Sequence, residues 1–322
     1  MRAGSSAYNA RDLTVTIQGD SSMRDITGPT IARRRDDGNA LTRRSVLRMA
    51  GSVPLAWALA DRLPLAAAAQ IPIAVQLYSV RGDCKRDFDA ALEQVAAMGF
   101  EGVEFAGYYT YAERAPDLGK RLKALNLKAA GTHIRLDALQ GEVLKATIDF
   151  HQAIGCRFLI VPGNDAFTNP EKNKSLADTF NQLAETLKPL GMACGYHNHT
   201  KEFAKDGDKT FWDLFAERTS KNVILQQDCG WTFAAGFDPA AYVRKYPGRA
   251  RTAHFKPTVR EGDTTRKAII GQDSVDWPAV YAACVSVGGT EWIVVEQETY
   301  PDEKTPMECT RESLAGLKAL LK

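Results

Sequence analysis

From Ile71 onward, short apolar runs alternate with longer stretches in which apolar residues recur every three or four positions. The first kind fits buried parallel strands and the second fits amphipathic helices. The pattern predicts strands at Ile71 to Ser79, Gly102 to Phe105, Lys128 to Ile134, Arg157 to Val161, Met192 to His197, Val223 to Gln227, Thr252 to Phe255 and Trp292 to Glu296. It predicts helices at Phe88 to Met98, Leu118 to Leu125, Leu139 to Ile154, Leu176 to Leu190, Phe211 to Arg218, Pro239 to Lys245, Trp277 to Val287 and Pro306 to Leu321. Gly99 and Gly155 stand just past two of these helices, where a left-handed residue ends a helix. Eight strand-helix units in succession predict an α/β fold, a closed (β/α)8 TIM barrel forming one domain. An open doubly wound sheet would carry a glycine-rich turn after its first strand, and Ser79-Val80-Arg81-Gly82-Asp83 is not one.

The polar residues that close the apolar runs carry the candidate chemistry. Tyr196-His197-Asn198-His199, Gln226-Gln227-Asp228, His254-Phe255-Lys256 and Glu296-Gln297-Glu298 stand at the ends of four consecutive strands. Active sites of α/β barrels lie at those C-terminal ends. Period-two alternation puts His197 with His199, Gln226 with Asp228, His254 with Lys256 and Glu296 with Glu298. The candidate metal ligands on the axis are therefore His197, Asp228, His254 and Glu296. That mixture of nitrogen and oxygen suits one divalent ion, Mn, Co, Zn or Fe, better than Ca or Mg. Each residue alone has a plainer reading. A single histidine is more often a hydrogen-bonded structural residue, and Asp228 before Cys229-Gly230 reads equally as a turn cap. Glu296 is the hardest to explain away, since a buried carboxylate needs a partner. His151, on a helix, is expected to be structural.

Composition separates the beginning of the chain from the rest. Residues 1–69 hold ten Arg and six Asp but neither Lys nor Glu, and Thr42-Arg43-Arg44-Ser45-Val46-Leu47-Arg48 is a twin-arginine pattern. A modestly apolar stretch, Met49 to Ala60, and the tail Ala66-Ala67-Ala68-Ala69 follow. The order fits a twin-arginine export signal, too short for a membrane span and interrupted by Asp61 and Arg62. The competing reading is a disordered leader. Residues 1–69 are thus expected to precede a barrel at 70–322 that acts in the periplasm or outside the cell, with no membrane attachment after cleavage. The leader's excess of four positive charges, against +2 for the whole chain, leaves the rest near −2. That balance argues against a nucleic-acid partner. Six cysteines occur singly, without the spacing of a zinc ribbon or redox pair, and fix no disulfide connectivity.

Six segments also carry a family resemblance. Gln76-Leu77-Tyr78-Ser79-Val80-Arg81, Gly102-Val103-Glu104-Phe105, Tyr196-His197-Asn198-His199, Gln226-Gln227-Asp228-Cys229-Gly230-Trp231, His254-Phe255-Lys256 and Gly271-Gln272-Asp273-Ser274-Val275-Asp276-Trp277 resemble the xylose-isomerase-like barrel family of sugar isomerases and epimerases. The resemblance implies a divalent metal held by Glu, Asp, His and Glu from the fifth to eighth strands. Asp228, His254 and Glu296 match the last three, while His197 stands where the first carboxylate would be. It also implies a small carbohydrate as substrate, with homo-oligomerisation left open. The expected chemistry is proton abstraction beside a carbonyl of a non-phosphorylated keto sugar. Glu296 is the expected base, His199 or Glu202 would handle the second proton, and Lys256 would steady negative charge. Gln76, Tyr78, Glu104 and His133 are candidates for holding sugar hydroxyls, and Trp231 for stacking on a sugar face. With His197 in place of a carboxylate, the chain lacks the first of the two carboxylates that symmetrical epimerisation uses. A lyase or hydratase acting on 3-keto-glycosides shares the enediolate intermediate. A non-catalytic periplasmic sugar-binding protein remains the reading from another class. A DNA-repair nuclease would want more histidine ligands than five in the whole chain and a basic face.

Overall fold

The computed structural model describes residues 70–322. The leader, its twin-arginine motif and its apolar stretch lie outside the described residues. Eight parallel strands close into a barrel: β1 (Ile73–Gln76), β2 (Gly102–Phe105), β3 (Lys128–His133), β4 (Phe158–Val161), β5 (Ala193–His197), β6 (Ile224–Asp228), β7 (Thr252–Phe255) and β8 (Trp292–Val295). Each strand pairs with its neighbours in sequence order, and Ile73 opposite Ile293 closes the ring.

The helices are α1 (Arg81–Arg86), α2 (Phe88–Met98), α3 (Ala115–Ala124), α4 (Val143–Ala153), α5 (Lys172–Leu187), α6 (Phe211–Arg218), α7 (Cys229–Ala234), α8 (Pro239–Lys245), α9 (Trp277–Ala283) and α10 (Pro306–Leu320). The first strand is shorter than its apolar run because Leu77–Val80 turns into a 3-10 segment, with the Gln76 side chain accepting from Tyr78 N–H. At the other extreme α9 ends in a π turn over Cys284–Gly288. A two-stranded hairpin, Lys205–Asp206 with Lys209–Thr210, lies between β5 and α6.

Alternation along the strands divides the interior into two zones. Ala74, Ala130, Phe158, Ile160, Ala193, Ile224, Trp292 and Val294 form one apolar cluster. One or two inward positions further along, Gln76, Glu104, His197, Gln226, Asp228, His254 and Glu296 form a buried polar one. Gly195 in β5 lets the neighbouring strand approach, because a Cβ there would lie 2.5 Å from the Ile224 carbonyl oxygen. Strand β3 departs from strict alternation. A register shift opposite Val103 and Glu104 adds a residue, so both Ala130 and His133 face inward. Such a bulge re-aims a side chain at a functional edge.

Outside the strands, Phe167, Phe180, Tyr196, Trp212 and Phe215 pack where α5 and α6 cover β4 to β6. Each fully buried aromatic of this kind contributes roughly 1.5–3 kcal/mol. His151, on α4, packs outside the barrel against Tyr108 and Phe150, its Nδ1 bonded to the Thr147 carbonyl at 2.6 Å and its Nε2 to Tyr108 Oη at 2.7 Å. All six cysteines are buried free thiols.

Candidate functional site

Four adjacent strand ends converge on one point of the barrel axis. His197, Asp228, His254 and Glu296 each offer one ligand-capable atom, and these atoms all lie within 4.8 Å of one another. All four residues are buried. Asp228 Oδ2 stands 3.9 Å from His197 Nε2 and 3.9 Å from His254 Nδ1, while Glu296 Oε2 is 3.0 Å from His254 Nδ1. Two donors on one tetrahedral ion, each about 2.0–2.2 Å from it, lie roughly 3.3–3.6 Å apart, beyond an ordinary hydrogen bond. The 3.9 Å separations fit that role and are too long for hydrogen bonds.

Gln226 fixes which imidazole nitrogens carry lone pairs. Its Nε2 donates to Glu104 Oε2 at 2.7 Å and to Thr252 Oγ1 at 2.8 Å, so its Oε1 must face the histidines. That oxygen accepts from His133 Nε2 at 2.7 Å and from His197 Nδ1 at 3.0 Å. His197 therefore presents an unprotonated Nε2 toward Asp228. Burial, together with the neighbouring His254, holds the His197 imidazole well below its ordinary range and so neutral. His254 is the opposite case. Burial alone would lower it, but Glu104, 2.7 Å from Nε2, and Glu296 at Nδ1 raise it to about 10. The Nδ1 proton is the one a divalent ion would displace, leaving Glu104 to hold the ring through Nε2–H.

Asp228 resolves its two sequence readings by dividing them between its oxygens. Oδ1 caps α7 by accepting from Trp231 N–H at 2.7 Å. Oδ2 is buried with no hydrogen-bond partner. Burial raises this carboxyl; burial also pushes Glu296 up, but the hydrogen bond and charge of His254, together with the Lys256 and His133 charges, outweigh it and lower Glu296. An orphaned anionic oxygen beside a lone-pair nitrogen is an unfavourable arrangement without a cation. The donor set thus fits a divalent metal, and this cluster could hold one.

A cavity of about 460 Å³ opens above the cluster, lined by Tyr78, His133, His199 and Glu296 among the expected residues. His133 stacks on His254 with ring centroids 5.1 Å apart. Two residues expected to hold sugar hydroxyls lie deeper. Gln76 and Glu104 are sealed beneath the cavity, where Gln76 Nε2 donates to Glu104 Oε1 at 3.1 Å. Their buried polar groups are spent on orienting His254 and Gln226. Glu202, expected as one source of the second proton, does not line the cavity. It is fully buried on the far side of the loop, accepting from His199 N–H at 2.8 Å and Tyr196 Oη at 3.3 Å. Its carboxylate fixes the His199 loop and points into the outer shell. His199 does line the cavity, with its imidazole lowered to about 4, mainly by burial. Lys256 pairs with Glu298, lies 4.0 Å from Glu296 Oε2, and sits 4.6 Å over the Trp231 ring. Trp231 borders a neighbouring groove instead of the cavity itself. Sequence reasoning passed over Gln226 as a site residue, although alternation places it beside Asp228, and over Glu298, which lines the cavity.

Fold and cluster together define a (β/α)8 barrel enzyme with a His-Asp-His-Glu centre at the C-terminal ends of its strands. The chain belongs to the xylose isomerase-like TIM barrel family, whose model matches residues 92–320. An inosose dehydratase from Bacillus licheniformis is 25% identical over 254 residues, 67% of this chain and 83% of that protein. A sugar phosphate isomerase/epimerase structure from Parabacteroides distasonis has a TM-score of 0.64 at 26% identity, covering 78% of this chain and 98% of that one. The IolI protein, solved with a zinc atom bound, shares the fold with a TM-score of 0.57 at 14% identity, covering 78% of this chain and 98% of the other.

Proposed function

We propose that this barrel abstracts a proton next to the carbonyl of a non-phosphorylated keto sugar or keto-cyclitol, and that the product forms by loss of a β-oxygen substituent. One asymmetry carries the reading: of the two carboxylates lining the cavity, Glu298 is paired with Lys256, which leaves Glu296 as the base, and His197 and His199 in the same lining are neutral imidazoles. An epimerase built on two carboxylates needs a base on each face. An elimination needs one base. Relatives called inosose dehydratases support the same branch.

A divalent ion held by His197, Asp228, His254 and Glu296 would supply Lewis acidity toward the carbonyl oxygen. Glu296 Oε2 is engaged by His254, which leaves Oε1 to take the proton. The C–H electron pair forms the carbon-carbon double bond as the β-carbon–oxygen bond breaks, and the departing oxygen leaves as water or an alcohol after gaining a proton. The Lys256 ammonium, 4.0 Å from Glu296, would donate a hydrogen bond to developing negative charge. A phosphorylated substrate is disfavoured by the Glu296 and Glu298 carboxylates on the wall, since the guanidinium of Arg135 is already taken by Asp137 at 2.6 Å.

The test is turnover of keto sugars and keto-cyclitols in deuterated water with the metal-loaded protein. A conjugated enone should appear with loss of water or alcohol, and Glu296→Gln should abolish it. A stereoisomer formed without such loss would replace elimination by epimerisation. Export through the twin-arginine leader, residues 1–69, and periplasmic action of the barrel at 70–322 stand as part of the proposal. Cell fractionation of wild type and an Arg43→Lys, Arg44→Lys double variant tests them.

A further inference from the structure

The loops after β6, β7 and β8 enclose a groove of about 550 Å³ next to the reaction cavity. Trp231 and Lys256 line the groove, whereas His199 and Glu298 line the cavity. Residues of the two linings touch one another. Lys256 meets Glu298, and the Trp231 and His199 rings lie 5.8 Å apart. Trp231 is tied to the reacting centre through its backbone bond to Asp228 Oδ1.

The charges along the groove are already compensated. Lys256 is paired with Glu298, Lys267 with Asp302 at 2.6 Å, and Arg266 bonds the Asp273 carbonyl and lies 3.6 Å from Asp263. A partly exposed indole among paired charges and Thr258, Thr264 and Thr299 suits a neutral ring with a flat face, not an anion.

We propose that this groove is a second subsite, taking a pyranose or aromatic ring joined to the reacting sugar through the departing oxygen. The proposal rests on the elimination reading and makes the substrate a glycoside. A ring there lies against Trp231 while the sugar that loses its proton occupies the cavity.

Binding separates this from the reaction. Calorimetry on the metal-loaded protein compares methyl glucoside, phenyl glucoside and a glucosyl disaccharide blocked as its methyl glycoside, none of which can be enolised. Phenyl or disaccharide, or both, should bind about tenfold more tightly than methyl, and which one does so identifies the ring. Thr264→Phe, filling the groove from its exposed side, and Trp231→Ala should each bring that ratio toward one, with metal content confirming the fold. Equal affinities in the wild type, or a ratio untouched by both variants, would overturn the second subsite. Failure of every keto-glycoside to turn over would overturn the elimination reading instead, and the binding ratio would still decide the subsite.

Discussion

At the scale of single residues, the site is built from side chains that serve two partners at once. Asp228 caps α7 through Oδ1 and leaves Oδ2 without a hydrogen bond. Asn at this position keeps a carbonyl oxygen for the cap but replaces the anionic oxygen with an amide. Asp228→Asn is therefore expected to fold with α7 intact, to lose the buried unpaired charge, and to be as stable as the metal-free wild type or more so. Metal affinity should nevertheless fall at least tenfold, as it does when a ligand or its orienting partner is removed. Thermal melts with and without metal check both halves, and a large loss of metal-free stability would mean that Oδ2 has a partner. Gln226 shows the same economy, since one amide settles the tautomers of His133 and His197 while binding Glu104. Its role was hidden in the sequence because glutamine itself is neither ligand nor base; only the geometry reveals it as the group that aims two imidazoles.

At the scale of elements, strands β2 and β7 and helices α2, α6 and α8 have the bounds expected from hydrophobic spacing, since each has a clear start or stop signal. Asp87 caps α2 and Gly99 ends it in the left-handed region, Thr210 caps α6, and Asp238 with Pro239 opens α8. The bulge in β3 and the π turn after α9 were not legible, because neither changes the apolar period enough to mark it. The link between α6 and α8 gives a prediction of pH dependence. Burial alone would raise the Asp213 carboxyl, but hydrogen bonds from Lys245, at 2.8 Å, and Tyr246 lower it. A folded-state pKa below the unfolded value contributes stability that is present above the unfolded pKa, about 3.9, and is lost as pH falls through the lower folded value. Asp213→Asn should thus lose about 1–3 kcal/mol at neutral pH, and the difference from wild type should shrink below about pH 4. Denaturant unfolding at several pH values measures this, and a difference constant down to pH 2 would remove the charge from the account.

At the scale of the whole molecule, the four ligand candidates come from the consecutive strands β5, β6, β7 and β8, so the chemistry occupies one half of the ring. This much was legible because successive strands end in polar residues at the same height. What remained hidden was the depth of each side chain. Glu104 and Gln76 share the inward face with the cluster, yet they lie in the layer beneath it. Glu202 follows His199 by three residues but turns to cap its backbone. The one-sided ligand set makes the final prediction regional. An ion at one hundred times its dissociation constant stabilises the folded chain by about 2.7 kcal/mol. Much of that gain should fall on the strands it joins, since pinning four strand ends suppresses the local openings that expose their amides. Hydrogen exchange of the chelated and metal-loaded protein should therefore show slower exchange at Gln227, Phe255 and Val295 on loading, with smaller changes at Val103 and Leu159. Uniform protection around the barrel would mean that its strands open only together, and no protection would count against a metal at these four residues.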